Sequence, residues 1–196
     1  MLSMLRLLMA VVLLLGVPVF PAWTQDAEYC STDGDSEPPS DTLRTVELPD
    51  FGLAVDIPSN YRAMKRQNGT VEILHPDDFE MLRCIAQGGL GASGYYSETI
   101  ELVEPDPAMS LREQAMWSVG YALEADGRLT PAYTQMIEYD QNGFSGYIVR
   151  SSSGFAVTFL GNYPGGADLL NVTAGCDCDV EMQAVTDLLS NITVLE

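Results

Sequence analysis

The chain predicts an α+β domain in which an antiparallel sheet is covered by two amphipathic helices. Three observations carry that fold class: repeated short runs of alternating apolar and polar residues, turn-forming pairs set between them, and two segments with apolar residues at helical spacing. The turns are too short for crossover connections, so neighbouring strands pair antiparallel. The two amphipathic segments then bury their apolar stripes on the sheet.

The elements follow in order. Arg6 and the apolar run Leu7–Phe20, broken only by Gly16 and Pro18, read as a secretory signal peptide over residues 1–24. The run is shorter than the roughly 20 residues a spanning helix needs, so the expectation is a secreted or periplasmic protein with no membrane span after cleavage. Residues 25–45 are rich in Asp, Ser, Pro and Gly and form an acidic, irregular lead-in without core-forming capacity. The rest, 46–196, is read as one α+β domain. Phe51, Leu53, Val55 and Ile57 alternate with smaller or polar residues in a half-buried strand that Pro58 ends. Asn68-Gly69, between Lys65-Arg66 and Val71-Glu72-Ile73-Leu74, is a hairpin turn. Phe79 to Gln87 is read as the next strand, followed by the glycine-rich segment 88–94 and a strand from Thr99 to Val103.

Ser110 with Glu113 makes a capping box, and Leu111, Ala115, Val119 and Ala122 or Leu123 share one face of a helix that Gly127 ends. Strands at about 133–139, 144–151 and 155–163 are separated by Asp140-Gln141-Asn142-Gly143 and Ser151-Ser152-Ser153-Gly154. Pro164-Gly165-Gly166 turns into a last strand, Leu169 to Ala174. A closing helix spans about Val180 to Asn191, with Asp179 as N-cap and Val185, Leu188, Leu189 and Ile192 as its buried stripe.

Charge narrows the partners. The chain has 9 basic and 28 acidic residues, a single lysine (Lys65) and a formal net charge of −19, and signal removal takes Arg6 away as well. Nucleic acid and anionic membrane surfaces would repel such a surface. The four cysteines, Cys30, Cys84, Cys176 and Cys178, form an even set suited to disulfides in an oxidising compartment. Cys176 and Cys178, separated by Asp177 alone, are not expected to pair with each other. Cys84 and Cys30 are then their partners in one order or the other, with Cys84–Cys176 and Cys30–Cys178 preferred. A thiolate metal site from Cys176, Cys178, Cys84 and His75 is the rival, but zinc sites space paired cysteines by two to four residues.

The stretch Phe51-Gly52-Leu53-Ala54-Val55-Asp56-Ile57-Pro58-Ser59-Asn60-Tyr61-Arg62, followed by a helix, antiparallel hairpins and a terminal helix, resembles the fold family of the photosystem II extrinsic protein PsbP, the nuclear transport factor Mog1 and the periplasmic protein DcrB. It is also similar to uncharacterised exported cyanobacterial proteins with an Ile-Pro-Ser-Asn-Tyr-Arg segment. The resemblance covers about 51–195 in element order. It implies a layered α+β sandwich and binding or assembly work rather than catalysis, and it transfers no functional residue.

No catalytic residue is assigned. His75 is the only histidine, and His75-Pro76-Asp77-Asp78 has turn chemistry; neither a Gly-x-Ser-x-Gly elbow nor a His-Glu-x-x-His helix is present. The 88–94 segment lacks the lysine and following helix of a phosphate cradle. Tyr95 and Tyr96 beside it are the candidate partner surface. Asp33, Asp35 and Glu37 alternate as oxygen ligands for calcium or manganese would, without the glycine and terminal Glu of an EF-hand. The expected function is an extracytoplasmic, non-enzymatic domain that binds a partner protein or assists assembly of a complex. The alternative is a cation- or small-ligand-binding module that uses surface carboxylates.

Overall fold

A computed structural model describes residues 29–30, 37–91 and 95–195. The expected signal peptide, Asp33 and Asp35 lie outside the described residues. In chain order the elements are β1 (Tyr29–Cys30), β2 (Leu43–Leu48), a 3₁₀ turn (Pro49–Phe51), β3 (Leu53–Pro58), β4 (Arg62–Lys65), β5 (Val71–Leu74), α1 (Pro76–Ala86), β6 (Leu90–Gly91), β7 (Ser97–Val103), α2 (Leu111–Ser118), β8 (Tyr121–Leu123), β9 (Leu129–Pro131), β10 (Tyr133–Gln141), β11 (Phe144–Ser151), β12 (Ala156–Asn162), β13 (Leu169–Gly175), α3 (Met182–Ser190) and β14 (Ile192–Val194).

The expected sheet covered by two helices does not form. Strand makes up 45% and helix 20% of the described residues, with three α-helices. Seven antiparallel strands build one sheet in the order β10-β11-β12-β13-β7-β5-β4, and its main cover is a second sheet, β14-β3-β2. The physical reason lies at the two ends of the domain. β3 is flanked by β2 on one side and by the C-terminal β14 on the other, so the first strands pair among themselves and never join the large sheet.

Between the sheets lies the principal core. Leu53, Val55 and Ile57 of β3 meet Ile73, Ile100, Ile148, Phe159 and Val172 of the large sheet, with Val185, Leu188 and Leu189 of α3. The period-2 pattern read for β3 therefore faces a sheet rather than a helix. On the opposite face α2 buries Ala115 against Val149, Leu160 and Leu169. Its capping box is formed as expected, with Ser110 and Glu113 reciprocally bonded. The helix ends earlier than expected, because Gly120, at φ +103°, leaves the helical region well before Gly127.

The stretch read as a strand over Phe79 to Gln87 is helix as far as Ala86. Pro76 opens α1 with Asp77 and Asp78 in its first turn, where the missing proline N–H costs nothing and acidic side chains oppose the helix dipole. Asp78 and Met81, three residues apart, are its buried positions. The helix also settles the disulfides. Cys84 on α1 bonds Cys30 of β1, with Cα atoms 5.8 Å apart, and Cys176 bonds Cys178. Both expected pairings are thus replaced: β1 lies in parallel beside β6, next to α1, and Cys178 stays within 5.1 Å of Cys176. Asp179, expected to cap the last helix, instead pairs with Arg150. Glu181 takes the N-cap position of α3 and makes no side-chain cap.

One pair of glycines sets how closely the central strands approach. Gly146 and Gly161 are register partners in β11 and β12. A Cβ at Gly146 would lie 2.3 Å from the Leu160 carbonyl oxygen, and one at Gly161 would lie 2.4 Å from the Phe159 ring. Tyr139, opposite Gly146 on β10, packs edge-to-face on Phe159 at 5.6 Å. Backbone cannot yield as a flexible side chain does, so Gly146→Ala is expected to destabilise the domain by about 1–3 kcal/mol, the range for overpacking. Urea unfolding of the variant checks this, with wild-type stability as the contrary outcome.

Candidate functional site

The side chains that drew attention in the sequence converge at the junction of β4, β5, β7 and α1. The turn after β3 places Tyr61, which is buried, and its hydroxyl lies 2.8 Å from His75 Nε2. His75 sits between β5 and α1 as the N-cap residue of the helix. Its ring meets Tyr61 at 4.3 Å and Tyr96 edge-on at 5.2 Å. Tyr96 donates to Glu98 Oε1 at 3.0 Å. Asp78, buried in the first turn of α1, accepts the Tyr96 backbone N–H.

The two tyrosines do not form a paired surface patch. They precede β7, where alternation sends neighbours to opposite faces of the sheet. Tyr96 points toward the main core, whereas Tyr95 donates to Glu72, the buried carboxylate that Arg66 pairs with. Both are half-buried. Glu37, the described member of the acidic trio, accepts from Asn60 Nδ2, and its N–H donates to Asp77. Among the described residues no group of three His, Cys, Asp or Glu side chains could hold a metal ion. All four cysteines are in disulfides, so no thiolate site exists.

Burial governs the electrostatics of the cluster. Desolvation pushes the Glu98 carboxyl up to about 7, against the hydrogen bond from Tyr96 and with added repulsion from Asp187 of α3. Asp78 rises to about 6 through burial and the neighbouring Asp77, offset by the Tyr96 N–H. Burial lowers His75, opposed by Asp77, and keeps the imidazole neutral at neutral pH. Tyr61 is pushed up to about 12 by burial and by the charges of Glu98 and Asp78. Such a cluster holds protons near neutrality, yet its donors and acceptors are spent on one another. Among the described residues no buried side-chain nitrogen or oxygen lacks a partner. Sequence reading found His75, Tyr95 and Tyr96 but missed Tyr61, Glu98 and Asp78. The available signal was Glu98 itself, an acid at the core-facing parity of β7, two residues before Ile100.

A second feature had no sequence signal. Among the described residues β2 is the edge of the small sheet and β4 the edge of the large one, each with a single neighbour. A groove of about 290 Å³ opens between them, walled by Val46, Leu48, Phe51, Ala63 and Val71. Two basic side chains span the edges. Arg44 donates to the Tyr61 carbonyl at 2.9 Å, and Lys65 pairs with Asp50 at the groove. On the outward parity of the small sheet stand Glu47 of β2 and Asp56 of β3, with Thr45 donating to Asp56.

No family model matches the chain, and no curated protein does. The two disulfides are consistent with an extracytoplasmic location, and no helix among the described residues is long and apolar enough to cross a membrane.

The cluster predicts a pH dependence of stability. A carboxyl whose folded pKa is raised binds more protons folded than unfolded, so stability falls as pH rises through that pKa. Glu98 therefore costs stability as pH climbs from 4.5 toward 7 and Asp78 as it climbs from 3.8 toward 6. His75 acts oppositely, its gain levelling off within about a unit above its ordinary value of 6.5. Glu98 is the main contributor between pH 6.5 and about 8, and its share of the loss there is about 1 kcal/mol. Urea unfolding at the two pH values is expected to show that fall in the wild type and a flat profile in Glu98→Gln. A slope retained in the variant would assign it to other groups.

Proposed function

We propose that this chain is a secreted or periplasmic, non-enzymatic domain that binds a partner protein, and that the partner lays an extended segment along the groove between β2 and β4. The observation that carries the reading is an apolar groove walled by two strands that are sheet edges among the described residues. Edge strands present unpaired backbone groups that a peptide can complete by strand addition. Along β2, Val46 and Leu48 face the core while Thr45 and Glu47 face outward. An added strand would follow the same alternation, placing one set of side chains in the groove and the other beside Thr45 and Glu47 of β2. The favoured segment thus has apolar residues at every second position and lysine or arginine between them. The net charge of −19 attracts the same partner from a distance.

The test uses an acetylated Lys-Val repeat peptide and its Glu-Val counterpart, titrated calorimetrically into the oxidised protein. The Lys-Val peptide is expected to bind saturably and the Glu-Val peptide not to bind. Val46→Phe and Ala63→Leu, which fill the groove from opposite walls, each reduce affinity by about tenfold or more. Leu123→Ser, on the exposed β8–β9 hairpin, leaves it unchanged. A backbone N-methylated Lys-Val peptide separates strand addition from simple apolar contact, because it cannot complete the ladder and is expected not to bind. Equal binding of both charge types, or affinity indifferent to the groove variants, would overturn the reading.

A further inference from the structure

The two disulfides of this protein differ in kind. Cys30–Cys84 closes 54 residues, and Cys30 is only 3% exposed. Cys176–Cys178 closes two, in the connection between β13 and α3, with Cys178 exposed and Cys176 half-buried. A short loop restricts the unfolded chain far less than a long one, so the second bridge gains less from chain entropy. Exposed disulfides of that sort are the labile members of a protein's set.

The local hydrogen bonds also distinguish the two sulfurs. The Cys178 N–H donates to Cys176 Sγ at 3.1 Å, and the Cys176 N–H is itself held by the Phe155 carbonyl at 3.0 Å. A backbone donor on Cys176 Sγ stabilises negative charge there, which makes Cys176 the better leaving group, while the exposed Cys178 is the sulfur an incoming thiolate can reach. Phe155 beside the bridge is 50% exposed and offers an apolar contact. Asp177 inside the loop and Asp179 after it are both exposed, and Asp179 is paired with Arg150. In a molecule of net charge −19 this surface repels anionic thiolates relative to thiols that carry a positive group.

We propose that Cys176–Cys178 is a thiol–disulfide exchange site that selects thiols carried on cationic groups, such as cysteines in basic segments. A substrate thiolate attacks Cys178 Sγ, the Cys176–Cys178 bond breaks, and Cys176 leaves as a thiolate that takes up a proton. With a dithiol substrate, the second substrate thiolate attacks the substrate sulfur of the mixed disulfide and expels Cys178. The substrate is oxidised to a disulfide, the protein is reduced to two thiols, and two electrons and two protons have moved from one to the other. The exchange is stoichiometric and independent of what occupies the groove between β2 and β4.

The experiment treats oxidised full-length protein near neutral pH with cysteamine or 3-mercaptopropionate at matched thiolate concentration, followed by acid quench, alkylation and peptide mass mapping. Cys176–Cys178 is expected to open about tenfold faster than Cys30–Cys84 or more, with the adduct on Cys178. Cysteamine is expected to react several-fold faster than 3-mercaptopropionate at low ionic strength, the gap closing in high salt and narrowing in Asp177→Asn. Dithiothreitol should yield its oxidised form mole for mole with opened Cys176–Cys178. Opening of Cys30–Cys84 at the same rate or first, an adduct on Cys176, or indifference to thiol charge would each overturn the proposal.

Discussion

The seven-stranded sheet has one face that is apolar across most of its width and a second that is largely polar away from α2, and most of what is distinctive here follows from how unevenly the two are covered. Three strands and α3 cover one face, and α2 covers part of the other. A cover four strands narrower than its sheet cannot reach both edges. At β4 the shortfall becomes an open groove rather than a solvated sheet face, because the small sheet presents its own free edge there. Burying more apolar surface there would need a further strand, which is the geometric basis of the proposed peptide site.

Basic residues are scarce, and four of them have clear structural assignments. Lys65 pairs with Asp50 across the groove, Arg66 with the buried Glu72, Arg150 with Asp179 near the second disulfide, and Arg44 ties β2 to the turn before β4. Exposed pairs such as Lys65–Asp50 contribute about 1 kcal/mol or less. Arg66–Glu72 differs, since removing the arginine would leave a buried carboxylate without its cation. With the cations committed in this way, the surplus carboxylates set the field that any peptide or thiol meets.

Local chemistry made much of this legible in the sequence. The alternation of β3, the Asn68-Gly69 hairpin, the Ser110–Glu113 box and the strands around 144–151, 155–163 and 169–174 are all decided by neighbouring residues, and they form. What failed depended on distance along the chain. β14 joins β3 across more than 130 residues, so no local pattern shows that the early strands form their own sheet. The apolar residues of α1 fit a strand as well as a helix over so short a run, and Pro76, Asp77 and Asp78 have the chemistry of a turn as much as of the helix start they form. The disulfide pairing turned on the one-residue spacing of Cys176 and Cys178, which does pair, leaving Cys84 to Cys30. The cluster around His75 was half legible: its aromatic members are conspicuous, but Tyr61 and Glu98 reach it only through the register of β5 with β7 and the turn into β4.

The cluster and the groove share a wall. β4 is four residues long and pairs only with β5, so what holds its ends largely fixes its position. At one end Tyr61 is anchored twice, its hydroxyl on His75 and its carbonyl by Arg44. At the other, Lys65 is held by Asp50. The first anchor is buried; the second is exposed and screened by salt. The two ends of the groove wall at β4 therefore rest on contacts of different kind, a buried aromatic and backbone anchor at Tyr61 and an exposed ion pair at Lys65.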